Sequence, residues 1–259
     1  MEIRPAGQRA RVLDVVGVDK VFGGDVVALR NMSLAVNAGD FISLLGPSGC
    51  GKSTALRLVA GLIEPTRGRI EWAGGQGTDD LSVVFQEPTL MPWATVAQNV
   101  WLPFRLKGAS FHAVRDEIRD VLRLVGLETF MDAYPRELSG GMKMRVSIAR
   151  AIVTKPRLIL MDEPFAALDE ITRFKLNNDL LALKAKIGAT VIFVTHSVFE
   201  SVFLSDRIVV MAARPGRVIR ELAVDAPYPR TETFRTSADY AAHCRETSAA
   251  LHEAMGEAA

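Results

Sequence analysis

The stretch "GPSGCGKST", Gly46 to Thr54, places Gly46, Gly51, Lys52 and Ser53 in the spacing G-x-x-x-x-G-K-S. A backbone turns its N–H groups around phosphate oxygens only where side chains do not block the approach, which calls for glycine. The apolar run "FISLL" leads into the loop and "ALRLVAGL" leaves it, so a strand delivers it and a helix follows. That helix aims its positive N-terminal end at the same anion. Lys52 would reach the outer phosphates of a nucleotide, and the Ser53 hydroxyl would meet Mg²⁺. Pro47, Ser48, Gly49, Cys50 and Thr54 complete the loop wall. A bare glycine-rich turn is the plain alternative, and the flanking strand and helix weigh against it.

A second group of residues fits the same chemistry. "LILMDEP" is an apolar strand ending in Asp162 and Glu163. An acid at the carboxyl end of a buried parallel strand is placed to meet Mg²⁺, the role for Asp162. Glu163, one residue on, would polarise an attacking water. A solvated turn is the ordinary reading of two adjacent acids, weakened here by the apolar run before them. His196 ends the strand "VIFVTH". A lone histidine there is commonly structural, but this strand end should face the nucleotide.

"LSGG", Leu138 to Gly141, precedes the helical stretch "MKMRVSIARAIV". Ser139, Gly140 and Gly141 form a second small-residue loop at a helix N-terminus, a second anion site by the same physics. A simple capped helix start is the alternative. One chain with one phosphate loop has no obvious use for two. Two chains head to tail do, each closing its second loop over the nucleotide held by the other.

These residues need a frame. The chain has 259 residues, 49% hydrophobic and 24% charged, enough for one cored domain with a subdomain. Its formal net charge of +1 gives no electrostatic case for nucleic acid. Cys50 and Cys244 are too few for a disulfide framework, which suggests a reducing compartment. The N-terminus has no apolar signal-like region, and no run is long enough to span a bilayer, so a soluble chain is expected. "FISLLG", "LSVVFQ", "RLILMDEP", "ATVIFVTH" and "RIVVMAA" are candidate strands. Their near-continuous apolar character suits a parallel sheet buried on both faces.

"VLDVVGVDKVF", "VVALRNMSLAV" and "GRIEWAG" predict a small antiparallel sheet beside that core. A mostly helical insertion is expected at about 89–154. Within it Phe111, Val114, Ile118, Val121, Leu122 and Val125 predict one helix from Ser110 as N-cap to Gly126 as stop. "GGQGTDD" reads as a polar loop and "RPGR" as a hairpin turn. In the tail, residues 226–259, Tyr240, Cys244, Ser248, Leu251 and Met255 share a helical face. A terminal helix packed on its own domain is the plainer reading, and a regulatory contact the other.

With these motifs in this order, the sequence resembles the ATP-binding subunits of ABC transporters, over about Val12 to Asp225. "GPSGCGKST" is similar to the family's Walker A, "LSGGM" to its signature loop, "LILMDEP" to its Walker B and "AALD" to its D-loop. The resemblance implies a P-loop NTPase core of class α/β in residues 1–225, with the antiparallel β and inserted α-helical subdomains. It implies ATP and Mg²⁺ as the bound species. It makes Gln86 the Q-loop glutamine at the metal, His196 the switch histidine and Asp169 the D-loop acid. It also makes Phe22 an adenine-stacking aromatic, for which ordinary strand packing is the alternative. Lys52, Gln86, Glu163 and His196 are then the hydrolytic set.

"FQEPTLMPWATVAQNV", the methionine in "LSGGM" and "ARPGRVIRE" resemble the nitrate, sulfonate and taurine import group. That group implies a homodimer on the cytoplasmic face of the inner membrane, beneath two permease subunits fed by an extracytoplasmic solute-binding protein. Met142 stands where the wider family has Gln, and a thioether accepts hydrogen bonds only weakly. The import group commonly carries Met there. An ABC-type ATPase working on nucleic acid or ribosomes is the competing function, and no coiled-coil insertion, zinc-type cysteines or basic stripe supports it. "LSGG" argues against a plain kinase or GTPase. The solute is not written in this chain.

Overall fold

The apolar runs form strands because helices or a second sheet cover both of their faces. The computed structural model describes residues 9–75, 80–228 and 230–256. In chain order the elements are β1 (Arg11–Phe22), β2 (Val26–Asn37), β3 (Phe41–Leu45), α1 (Lys52–Val59), β4 (Arg67–Trp72) and β5 (Leu81–Val84). Then come α2 (Val96–Leu106), α3 (Arg115–Leu124), α4 (Gly140–Ile152), β6 (Leu158–Asp162), α5 (Glu170–Ile187) and β7 (Thr190–Thr195). The last are α6 (Val198–Leu204), β8 (Arg207–Ala212), β9 (Arg217–Ala223), α7 (Glu232–Arg235) and α8 (Ala238–Gly256).

The large sheet runs β5-β6-β7-β3-β8-β9. Its first five strands are parallel, and β9 closes the edge antiparallel to β8, as the "RPGR" turn predicts. The core sheet is therefore mixed at one edge. β3 and β7 are buried at every position. Alternation still divides their side chains. Phe41 and Leu45 join an apolar cluster with α4, α5, α6 and α8. Ile42 and Leu44 join another with α1 and the small antiparallel sheet, ordered β2-β1-β4. A third cluster ties α2, α3 and α4 together through Val100, Ile118, Leu122 and Val146. Among the described residues, no helix is long and apolar enough to cross a membrane.

Two boundaries and one helix face differ from the sequence reading. The helix expected from Ser110 starts at Arg115, behind a separate 3₁₀ turn at His112–Val114. Val114, at φ −120°, breaks the helix, while Ser110 accepts only from the Ala113 N–H of that turn. Gly126, at φ 71°, is the expected stop. β5 ends at Val84, so Gln86 stands outside the strand. α8 packs on its own domain through Tyr240, Cys244, Thr247, Ala250 and Ala254, leaving Met255 exposed. Small residues won that face because a helix lying close against β8 and α6 leaves little room for long side chains. Residues 76–79 of the expected polar loop lie outside the described residues.

Candidate functional site

Three adjacent strands, β6, β7 and β3, bring Asp162, His196 and the 46–51 loop to one end of the sheet. In open α/β sheets that carboxyl end is where ligands bind. A cleft of about 540 Å³ opens there, lined by Phe22, Ser48, Gly49, Gly51, Lys52, Ser53, Thr54 and Glu163, among others. Gly51 caps α1 at φ 91°, and a Cβ on it would lie 2.8 Å from the Ala28 carbonyl oxygen. Any side chain there would be strained and blocked. No side chain caps α1 and no acid lies in its first turn, so its free N–H groups and dipole serve the cleft.

Lys52 is buried, and its Nζ donates to the carbonyls of Gly46 (2.8 Å) and Pro47 (2.9 Å). An ammonium carries three protons, and the third reaches only Cys50 Sγ at 3.8 Å, a weak acceptor that an anion would displace. Ser53 Oγ donates to Asp162 Oδ1 at 2.8 Å, joining the loop to the end of β6. Burial pushes the Asp162 carboxyl above the usual carboxylate range, opposed by the Ser53 hydrogen bond. Glu163 sits in the left-handed region at φ 46°, which costs on the order of 1 kcal/mol for a non-glycine residue. Its N–H is held by the Val194 carbonyl, and its Oε2 lies 3.3 Å from His196 Nδ1. Phe22, 42% exposed at the end of β1, lines the cleft, with Lys20 Nζ 5.0 Å from its ring centroid. Cys50 is fully buried and burial raises its thiol, so it is a poor nucleophile.

Other expected residues stand apart. Gln86 is exposed and does not line the cleft. Ser139 and Gly140 are exposed at the start of α4, with Ser139 Oγ accepting from the Met142 N–H. Gly141 packs against α5, where a Cβ would meet Thr172 Cγ2 at 2.8 Å. Asp169 caps α5, accepting from the Thr172 N–H (2.9 Å) and hydroxyl (2.7 Å), which lowers its carboxyl. None of these four lines the cleft. Sequence reasoning missed Val26, Val27, Ala28, Arg214 and Gly216 in the wall. The hairpin turn reaches it because Gly216 exchanges backbone bonds with Ala28 and Arg30. "RPGR" signalled only a turn, not where the turn would land.

The geometry meets known proteins at this point. A family model described as ABC transporter matches residues 29–166, from β2 through the turn after Asp162. The chain belongs to the ABC transporter family. As an ATP-binding subunit of that family it is an ATP hydrolase. This ABC subunit is 42% identical over 233 residues to the nitrate import ATP-binding protein NrtD of Synechocystis sp., covering 86% of this chain and 88% of that one. It is 44% identical over 221 residues to the aliphatic sulfonates import ATP-binding protein SsuB 1 of Pseudomonas syringae pv. syringae, covering 85% and 88%. Its fold matches cbiO1 of Clostridium perfringens, part of the ABC transporter complex cbiONQ, with a TM-score of 0.76 at 26% identity over 92% of this chain and 99% of that one. A dimeric ATP-binding cassette with ADP and Pi bound matches with a TM-score of 0.70 at 32% identity, over 83% and 100%.

Proposed function

We propose that this ABC subunit is the ATP-hydrolysing motor of an importer, working as a head-to-tail homodimer beneath two integral membrane permease subunits. The observation that carries the ATP site is the Ser53–Asp162 contact at 2.8 Å, which ties the end of β6 to a cleft wall that Ser53, Lys52 and Glu163 form. It sets two oxygen donors side by side, and burial makes the Asp162 carboxylate gain from a cation. Among the described residues no group of three His, Cys, Asp or Glu could hold a metal ion alone. That donor set fits Mg²⁺, which takes one or two protein oxygens and completes its shell with phosphates and water. Bound there, Mg²⁺ would neutralise charge on the outer phosphates.

The chain's own residues do the rest. Phe22 stacks on the adenine. The 46–51 loop and the α1 N-terminus bind phosphate oxygens, and Lys52 adds its third donor. Glu163 accepts the proton of the attacking water at its carboxylate, and His196 holds that carboxylate in place. Gln86, outside the cleft in one chain, reaches the metal when the helical insertion moves with it.

The Ser139–Gly141 loop does not line its own chain's cleft, which supports its use by a second chain, with Asp169 at the same junction. The match to a dimeric cassette supports the same reading. The segment after Gln86 supports a membrane partner. Arg150 Nη1 and Nη2 hold its backbone by donating to the Thr89 (2.9 Å) and Pro88 (3.0 Å) carbonyls, yet Trp93 stands 76% exposed. An exposed indole on a fixed loop suits a partner rather than internal packing. The import subunits among the relatives favour a small anion such as nitrate or a sulfonate. Delivery by an extracytoplasmic binding protein is part of the same proposal. We place the subunit on the cytoplasmic membrane face, as the resemblance to that import group implies. The test is co-expression with a neighbouring permease: a complex whose ATPase rises with loaded binding protein supports the motor reading. A subunit that hydrolyses ATP but binds no permease contradicts it.

A further inference from the structure

α6 starts directly after His196, with Ser197 as its N-cap. It has 7 residues, too short to hold its own position without tertiary contacts. At its start, Ser197 N–H donates to Thr195 Oγ1 (3.0 Å), and Thr195 Oγ1 donates to the buried Glu200 Oε2 (2.5 Å). The His196 turn and the body of α6 therefore move together.

The far end of α6 is held entirely differently. Helix C-termini leave carbonyls without intrahelical partners. Here side chains from the C-terminal segment take them. Arg230, 4% exposed, donates from Nη1 to the carbonyls of Val202 (3.1 Å), Phe203 (3.1 Å) and Ser205 (2.8 Å). Tyr228 Oη donates to the Leu204 carbonyl (2.9 Å) at that end, while Tyr240 Oη reaches the Phe199 carbonyl (3.0 Å) in the first turn. Phe234 stacks on Phe203, with ring centroids 6.5 Å apart. Arg230 Nη2 also donates to Val224 (3.2 Å), so the clasp is rooted at the end of β9. A segment that only covered an apolar face would not need to bury a guanidinium against a row of helix-end carbonyls. Such a cation also complements the helix dipole.

We infer that Tyr228, Arg230 and Tyr240 are positioning residues, which set α6 so that the His196 ring meets Glu163. The inference rests on His196 acting at the hydrolytic site. It makes residues 226–256 part of the catalytic apparatus, and any partner that pulled this segment would throttle hydrolysis without touching the nucleotide.

Tyr240→Phe and Tyr228→Phe remove only a hydroxyl and keep the ring packing. Each should lower kcat about threefold to tenfold, the span of one lost hydrogen bond, and the pair more. KM for ATP should stay within about twofold, because the phosphate loop is untouched. In histidine-labelled protein the His196 ring resonances should shift while those of His112, in the helical insertion, stay. An unchanged kcat, a loss carried by KM, or a kcat loss with unmoved His196 resonances overturns the inference. His196→Ala, measured alongside, separates the two levels. If it turns over at the wild-type rate, the role of His196 falls and the clasp with it. If it is dead while the tyrosine variants match wild type, only the clasp falls.

Discussion

Glu163 combines a strained backbone at φ 46° with a carboxylate held beside His196, so its position is enforced by its surroundings. Glu163→Gln keeps the shape and loses the proton acceptor. Turnover should drop on the order of 10²-fold or more while ATP still binds, as seen by phosphate release beside nucleotide titration. Wild-type turnover in that variant would move the base elsewhere, with His196 the first to examine. Asp162 makes a different case. Its carboxyl is raised in the folded chain by burial, so the native state binds the proton more tightly than the unfolded chain does. Its contribution to stability is therefore present below the ordinary carboxylate range and is lost as pH rises through the raised value. Asp162→Asn should then melt higher than wild type at neutral pH without Mg²⁺, and the gap should close in acid. The same variant should lose Mg²⁺-dependent ATP binding. A lower melting temperature at neutral pH would show that the Ser53 bond outweighs desolvation. The placement of these residues at one end of the sheet was legible from type and spacing, because phosphate chemistry constrains both. The Lys52 carbonyl partners and the left-handed Glu163 were not, since they depend on how β6 and β7 end beside each other.

At the scale of elements, the start of α4 is fitted against α5. Thr172 cannot swing away from Gly141 without giving up its bonds to Asp169. Gly141→Ala should therefore destabilise the chain by about 1–3 kcal/mol in denaturant, the usual cost of overpacking. Adding Thr172→Ser removes the obstructing methyl, keeps the hydroxyl and should restore most of the loss. If the pair is no more stable than Gly141→Ala alone, the close approach is not the reason for glycine there. A second element-scale outcome concerns the loop before α2. Trp93→Ala should leave melting and ATP affinity unchanged while weakening capture of the permease in a pull-down; a melting loss would place the ring inside the domain instead. Strands were readable because burial on both faces leaves continuous apolar runs. Helix limits were less so. The break at Val114 has no proline or glycine to announce it, and the α8 face was misjudged because size, not hydrophobicity alone, chose which residues lie against β8.

At the scale of the molecule, the mixed sheet gathers the cleft, and the helical insertion carries the Ser139–Gly141 loop apart from it, with Ser139 and Gly140 exposed. A sequence with two phosphate-type loops raises the proposal of pairing, but no spacing in it says that one chain keeps them apart. Mixing two inactive variants tests this most directly. Lys52→Ala chains lack a working phosphate loop, and Ser139→Arg chains lack a working second loop, so neither should hydrolyse ATP alone. In a mixed head-to-tail dimer, one site is doubly damaged. The other joins an intact Lys52 loop from one chain to an intact Ser139 loop from its partner. Phosphate release should therefore appear on mixing and follow the fraction of mixed dimers. If the mixture stays as inactive as either parent while both variants still form dimers, each chain uses its own loop, and the head-to-tail account is contradicted.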